Sequence, residues 1–466
     1  MMKKIAIIHG ALTSPVLRRA VAVLSELLLD YTYEYPACFA TEGEVDLAAF
    51  CRIYIGTRVS NPLVCAHSAA APTHEQEYQL TVKDGNVTVE GYDDAGVLYG
   101  CMDFYNKYLL RLEYPHNDHY RINCFEKSLP DFTYRSRPSV RDRGLWTWGH
   151  VIYDWRGYLD NMVKLKMNTL VVWNDHVPVN AEEMIEYAHA CGIKVIWGYA
   201  WLWDTNCKRI AMDRLEEHCE EIYEKYAKEY RHLGGDGIYF QSVTELNEES
   251  VDGVVIADAV TRFVNKTAAL FFEHEPALEL QFGLHATSVK HQLDYIRQVD
   301  PRIRIVWEDC GAFPFSYIPH HVADFDQTMD FTDRIAVLRG ADDRFGAVTK
   351  GLTKLDWRAF SHPSGPLNLG VSSKEMKEDR IIRKRKIWRY LQAFWLIHAD
   401  RALEAIGKMA HAKDGDLMLT ALVEDGMFEE NIMYPVALYS EMLWDCEADL
   451  DTLMSEVALR GYVDFA

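Results

Sequence analysis

Glu245, Glu308 and Asp309 are the residues in this chain around which chemistry can be built. Each stands where a short apolar, aromatic run turns polar: Gly237-Ile238-Tyr239-Phe240-Gln241 leads to Glu245, and Ile303-Arg304-Ile305-Val306-Trp307 leads to Glu308 and Asp309. Two carboxylates flanking a bond are what hydrolysis of a glycosidic bond requires, one holding a proton and the other ionised. We expect Glu245 to be the general acid, its proton held by an apolar setting that raises its pKa. Glu308 or Asp309 is then the second carboxylate. Neighbours on a strand face opposite ways, so only one of the two points inward. Trp307 and the aromatics before Glu245 supply the apolar surroundings. The plainer reading of any one of these acids is a strand end followed by a solvated, helix-capping loop.

Other runs end in polar or aromatic groups of the same kind. Trp148 closes one; Asp175 and His176 follow another; Trp203 follows a third; His285 ends a fourth; Arg339 ends a fifth. Arg143 precedes Gly144 at the start of the first run. These seven are candidate substrate-binding residues. The histidines could equally be hydrogen-bonded rim residues, and Arg143 a salt bridge in the barrel floor or linker.

The elements that must position them alternate strand and helix. Runs at 144–148, 168–173, 193–199, 237–241, 278–285, 303–309 and 334–340 read as buried parallel strands, with helical periodicity between them. An eighth falls at 360–362 or 367–370. Such a series predicts a (β/α)8 barrel over 131–371, whose strand ends aim their side chains at one cleft. Residues 1–130 read as a small α/β domain and 372–466 as a C-terminal helical region. Within the first, 77–82 and 87–91 alternate around Lys83-Asp84-Gly85-Asn86, a hairpin signal. Ser14 and Pro15 open a helix.

Composition bounds the class. The chain has 466 residues, 49% of them hydrophobic, and a formal net charge of −21. That charge argues against nucleic acid and anionic membrane as partners. No apolar run approaches the ~20 residues that span a bilayer. Ten cysteines occur without a CxxC pair, as in a reducing cytoplasm. No cofactor is expected and no metal-ligand spacing stands out. The 12 Trp and 26 Tyr pack a core or stack on sugar faces, and those of the C-terminal helices could cover a second copy of the chain in a homodimer.

After the hairpin comes Tyr92-Asp93-Asp94-Ala95-Gly96-Val97-Leu98-Tyr99-Gly100 and an amphipathic helix. This pattern, about 50 residues in all, resembles the accessory N-terminal domain of family 20 glycoside hydrolases, the β-N-acetylhexosaminidases, shared by α-glucuronidases. The resemblance implies a catalytic barrel behind it and a small carbohydrate substrate. Arg143-Gly144 resembles that family's sugar-clamping arginine. The family's Asp-Glu pair after strand four, in which the Asp steers the substrate's own acetamido group, stands here as Thr244-Glu245. A second carboxylate from strand six is closer to the α-glucuronidase type. The readings left open are a glycosidase without metal, a metal-dependent sugar isomerase or epimerase, and a barrel that binds sugar without catalysis.

Overall fold

The computed structural model describes residues 4–44, 46, 49–68, 70–112, 129–202, 211–241, 243–285, 287–308, 325–352, 363–423 and 428–465. The chain forms two compact units. One takes the chain up to Pro138 with His189–Gly192 and Asp451–Gly461; the other takes Ser139–Ala188, Ile193–Leu450 and the residues from Tyr462.

The first unit is α/β. Its strands are β1 (Lys4–Ile8), β2 (Ala37–Phe39), β3 (Phe50–Gly56), β4 (Tyr78–Lys83), β5 (Asn86–Gly91) and β6 (Phe132–Ser136), in the sheet order β2-β1-β3-β5-β4-β6. The hairpin β4–β5 is antiparallel with Lys83 opposite Asn86, as its turn chemistry predicts. Ser14 caps the helix Pro15–Thr32, its hydroxyl accepting from the Leu17 amide at 3.1 Å. Asp93 caps the helix Asp94–Asp103 in the same way, accepting from the Gly96 amide at 2.7 Å. A Cβ on Gly96 would lie 2.3 Å from the Glu77 carbonyl oxygen. The glycine of the Asp-Asp-Ala-Gly motif is therefore what lets this helix start against the hairpin.

The second unit contains a closed barrel of eight parallel strands. They are β7 (Asp142–Trp148), β8 (Thr169–Trp173), β9 (Lys194–Ala200), β10 (Gly237–Gln241), β13 (Glu279–His285), β14 (Arg304–Glu308), β15 (Phe345–Thr349) and β16 (Leu417–Leu422), and β16 pairs with β7 to close the ring. A short antiparallel ladder, β11 (Ser250–Val251) with β12 (Val254–Val255), follows β10. Alternate residues fill the lumen, among them Trp146, Trp148, Trp173, Tyr239, Val306, Val348 and Met418. Their neighbours face the helices: Phe240 stacks on Trp201, and Trp307 meets Phe331 at 5.5 Å between ring centres.

At the N-terminal end the lumen is closed by charge. The buried Arg304 guanidinium donates to Glu279 at 2.9 Å, Asp142 at 3.2 Å and Asp416 at 2.8 Å. Burial works against the charge on Glu279, but Arg304, Lys194 and Arg344 outweigh it and hold the carboxyl down to about 2.

Two strands differ from the sequence reading. The run 334–340 ends the helix Phe325–Ala336 and continues as a turn; of its four consecutive apolar residues Ile335 and Ala336 are buried and Val337 is exposed. The seventh strand is β15. The eighth is β16, from the region read as helical, where Leu417-Met418-Leu419-Thr420-Ala421-Leu422 is buried on both faces and shows no strand alternation. Residues 360–362 lie outside the described residues, and 367–370 are loop and turn. Before β16 runs a 39-residue helix, Lys374–Ala412, with non-helical backbone at His398. Among the described residues no helix is long and apolar enough to cross a membrane.

Candidate active site

At the C-terminal end of the barrel, four strands bring polar side chains to one point. Gln241 ends β10, and a single 3-10 turn, Val243–Glu245, carries Glu245 over the rim. His285 ends β13, Glu308 ends β14, and Lys350 directly follows β15. His285 is the hub. Its Nε2 lies 2.7 Å from Glu245 Oε1 and 3.6 Å from Glu308 Oε2. Gln241 Nε2 donates to Glu308 Oε1 and lies 3.2 Å from the same imidazole nitrogen. Lys350 Nζ donates to Glu308 Oε2 at 3.1 Å and stands 5.9 Å from the centre of the Trp146 ring.

The environments of the two carboxylates differ. The Glu245 side chain is 32% exposed and that of Glu308 3%. Burial works to raise the Glu245 carboxyl, but the hydrogen bond and charge of His285, with Lys350 behind them, outweigh it and hold it below the usual carboxylate range. Burial lifts Glu308 above that range, against the charge and hydrogen bond of Lys350. The order of proton affinity is the reverse of the sequence expectation, which had placed the tighter proton on Glu245. The apolar residues before Glu245 lie below it in the lumen or outside the barrel, whereas its nearest neighbour is a base. Nor does Trp307 line the setting of Glu308, since it faces the helix layer.

Below the polar cluster lies an aromatic layer. Trp146 meets Trp148 edge to face at 4.8 Å and stacks on Trp173 at 6.1 Å, and Tyr239 stands edge-on to both Trp146 and Trp173. Room for Tyr239 comes from Gly283: a Cβ there would lie 2.2 Å from the Tyr239 hydroxyl and 3.0 Å from Glu308 Oε1. Thr244 is buried and turned away from solvent. Its hydroxyl accepts the His285 amide at 3.3 Å, and its carbonyl accepts the Ser288 hydroxyl at 2.6 Å. So Thr244, beside Glu245, fastens the strand end that carries the imidazole.

The other predicted residues are dispersed. Trp148 is in the aromatic layer. Asp175 is exposed and His176 half-buried, on the turn after β8. Asp309 and Trp203 lie outside the described residues. Arg143 is corrected: it sits near the N-terminal end of β7, the opposite end of the barrel, with its guanidinium on the carbonyls of Val140, Arg141 and Lys166. Arg339 is corrected likewise. It lies on the turn after Phe325–Ala336 and donates to the carbonyls of Val299, Asp300 and Ile303, ahead of β14. Both are structural because a strand's first residues, or the turn before it, meet the barrel floor and not the cleft. Gln241 and Lys350 were missed. Gln241 is two residues from Tyr239 and so shares its inward face; Lys350 was hidden by the misplaced seventh strand. Among the described residues no group of three His, Cys, Asp or Glu is placed to hold a metal ion.

No family model matches the chain, and no curated protein does. Solved structures do. A GH138 enzyme targeting pectin rhamnogalacturonan II superposes with a TM-score of 0.55 at 13% identity, over 96% of this chain and 64% of its own. A GH115 4-O-methyl-α-glucuronidase with specificity for decorated arabinogalactans gives 0.53 at 14%, over 97% and 57%. A mutant Streptomyces plicatus β-hexosaminidase in complex with its product gives 0.53 at 12%, over 98% and 90%. The chain thus spans less than two thirds of the first two. What it shares with all three is the fold.

Proposed function

We propose that this chain is a glycoside hydrolase that works with Glu245 and Glu308. One observation carries the reading: two carboxylates at the C-terminal rim of a closed barrel share one imidazole nitrogen, one held below and the other above the usual carboxylate range. Two-carboxylate hydrolysis needs that split. Glu245, the more exposed and the more acidic, is the ionised group facing the sugar. The proton for the leaving group is held on Glu308, whose burial favours the protonated form. An oxygen of each carboxylate lies within 3.6 Å of the same nitrogen. This favours the short spacing of about 5–5.5 Å, and retention of configuration, over the ~6.5–9.5 Å of inverting enzymes. Since Thr244 offers no carboxylate beside Glu245, steering of a substrate acetamido group is not part of the reading. The substrate class is closer to the α-glucuronidase type than to the β-hexosaminidase type.

The test is a panel of p-nitrophenyl glycosides and glycuronides, with and without EDTA. Release should be indifferent to the chelator and fall by roughly 10²-fold or more in Glu245→Gln and Glu308→Gln. Azide added to Glu245→Ala assigns the role: a glycosyl azide of inverted configuration marks Glu245 as nucleophile, one of retained configuration as acid/base. Release lost in EDTA would replace the reading with a metal-dependent barrel enzyme. Sugar binding without release on any substrate would leave a carbohydrate-binding barrel.

A further inference from the structure

Lys350 holds Glu308 from just beyond the end of β15, where the sheet has stopped setting its position. The ladder to β14 ends with Trp307 opposite Ala347, and the ladder to β16 ends with Thr349 opposite Ala421. The residues on either side of Lys350 are held from the helix layer instead. Side chains alternate along β15, so with Val348 in the lumen Thr349 faces outward. There its hydroxyl shares a hydrogen bond with the Tyr439 hydroxyl at 3.2 Å, from the helix Tyr434–Trp444. On the other side of the lysine, the Trp395 indole N–H donates to the Gly351 carbonyl at 2.9 Å, from the helix Lys374–Ala412. The Trp395 and Tyr439 rings stand edge to face, 6.3 Å apart. Thr349, Lys350, Gly351, Trp395 and Tyr439 are all buried.

A helix packed on a strand needs only apolar side chains. Two aromatics whose polar tips bond the residues before and after one lysine do more than fill space. A lysine has a long flexible stem, so its ammonium is placed only as well as its backbone and surroundings are. Groups that act in a site must be held within about 0.5 Å of their working geometry. We propose that Trp395 and Tyr439 are positioning residues: they fix the strand end that carries Lys350 and so set its ammonium against Glu308. The inference rests on the reading of Glu308 as the carboxylate that holds the proton. Glu308 also faces the Gln241 amide and the His285 imidazole, with Glu245 beyond it. Among these neighbours it is the Lys350 ammonium that works against the burial lifting Glu308.

The test uses Tyr439→Phe and Trp395→Phe, which remove the hydroxyl and the N–H and keep an aromatic ring. Thr349→Val and Thr349→Ser probe the same contact from the strand. Acetylation of Lys350 by acetic anhydride is read by peptide mass spectrometry on the full chain. It should rise roughly two- to tenfold in both Phe variants and in Thr349→Val, the range set by one buried hydrogen bond. In Thr349→Ser it should match the parent. Lys166, buried against Glu441 of the helix that carries Tyr439, reports whether that helix has merely loosened, and should react as in the parent. The second measurement uses whichever p-nitrophenyl glycoside the parent hydrolyses. In the Phe variants the basic limb of kcat/KM, above which Glu308 loses its proton, should move to higher pH, since a retreating ammonium leaves burial less opposed. Lys350 labelled no faster, or Lys166 rising with it, would overturn the proposal. So would a basic limb that stays put in a variant whose Lys350 reacts faster. Faster labelling of Lys350 alone, in a chain that releases nothing from any glycoside, would uphold the positioning role and remove the glycosidase reading.

Discussion

At the scale of single residues, the site turns on what His285 does to Glu245. The imidazole holds that carboxyl below its usual range while burial pushes the other way. Removing the imidazole leaves burial unopposed by it, so the carboxyl rises. In His285→Asn the acid limb of kcat/KM, below which Glu245 is protonated and inactive as a base or nucleophile, should move to higher pH. A pH profile with an unmoved acid limb would detach Glu245 from that limb. Gly283 gives a second prediction. A methyl group there would strike the Tyr239 hydroxyl and crowd Glu308. Gly283→Ala should cost about 1–3 kcal/mol in urea unfolding, the usual penalty of overpacking, and depress turnover through the displaced carboxylate; an unchanged protein would mean that the ring moves freely. How much of this was legible follows the same geometry. His285 and Glu308 could be found because each ends an unmistakable strand, and Glu245 because it closes the turn that follows one. Lys350 could not be placed before its strand was, and the direction of the Glu245 shift depends on a neighbour 40 residues away in sequence.

At the scale of elements, the barrel is held at its floor by charge and at its waist by aromatics. Arg304 is the floor's centre, with three carboxylates from three directions. Arg304→Met would leave Asp142, Glu279 and Asp416 buried to different depths without their common cation. The expected cost is about 3–5 kcal/mol at pH 7, read by urea unfolding. The pH dependence has a definite sign. Glu279 binds its proton more weakly folded than unfolded, so its contribution is complete above its ordinary value of 4.5 and is lost as pH falls through about 2. In Arg304→Met that window should move up in pH; a variant with parental stability and acid unfolding would show that Lys194, Arg141 and Arg344 suffice. The floor also explains where the sequence reading went astray. Arg143 and Arg339 looked like rim residues, but arginines at strand beginnings bind carbonyls of the floor. The last two strands were obscured for different reasons: 334–340 has a helix end's composition of apolar and basic residues, and Leu417–Leu422 is too uniformly apolar to show a period.

At the scale of the whole chain, the net charge of −21 sets the conditions under which substrate arrives. The part of the fold most legible in sequence, the hairpin and the capped helix with its Gly96, says nothing about charge on the sugar. The site itself is mixed, with two carboxylates facing an imidazole and a lysine. An anionic glycoside therefore approaches against the field of the whole molecule and is discriminated only at contact. The Debye length falls from about 30 Å at 0.01 M ionic strength to about 8 Å at 0.15 M. Over that range kcat/KM for a glycuronide should rise several-fold, as long-range repulsion is screened while the buried Lys350 keeps its influence. For a neutral glycoside of the same leaving group it should stay flat. A glycuronide rate that falls with salt would mean that His285 and Lys350 attract at long range in spite of the total charge.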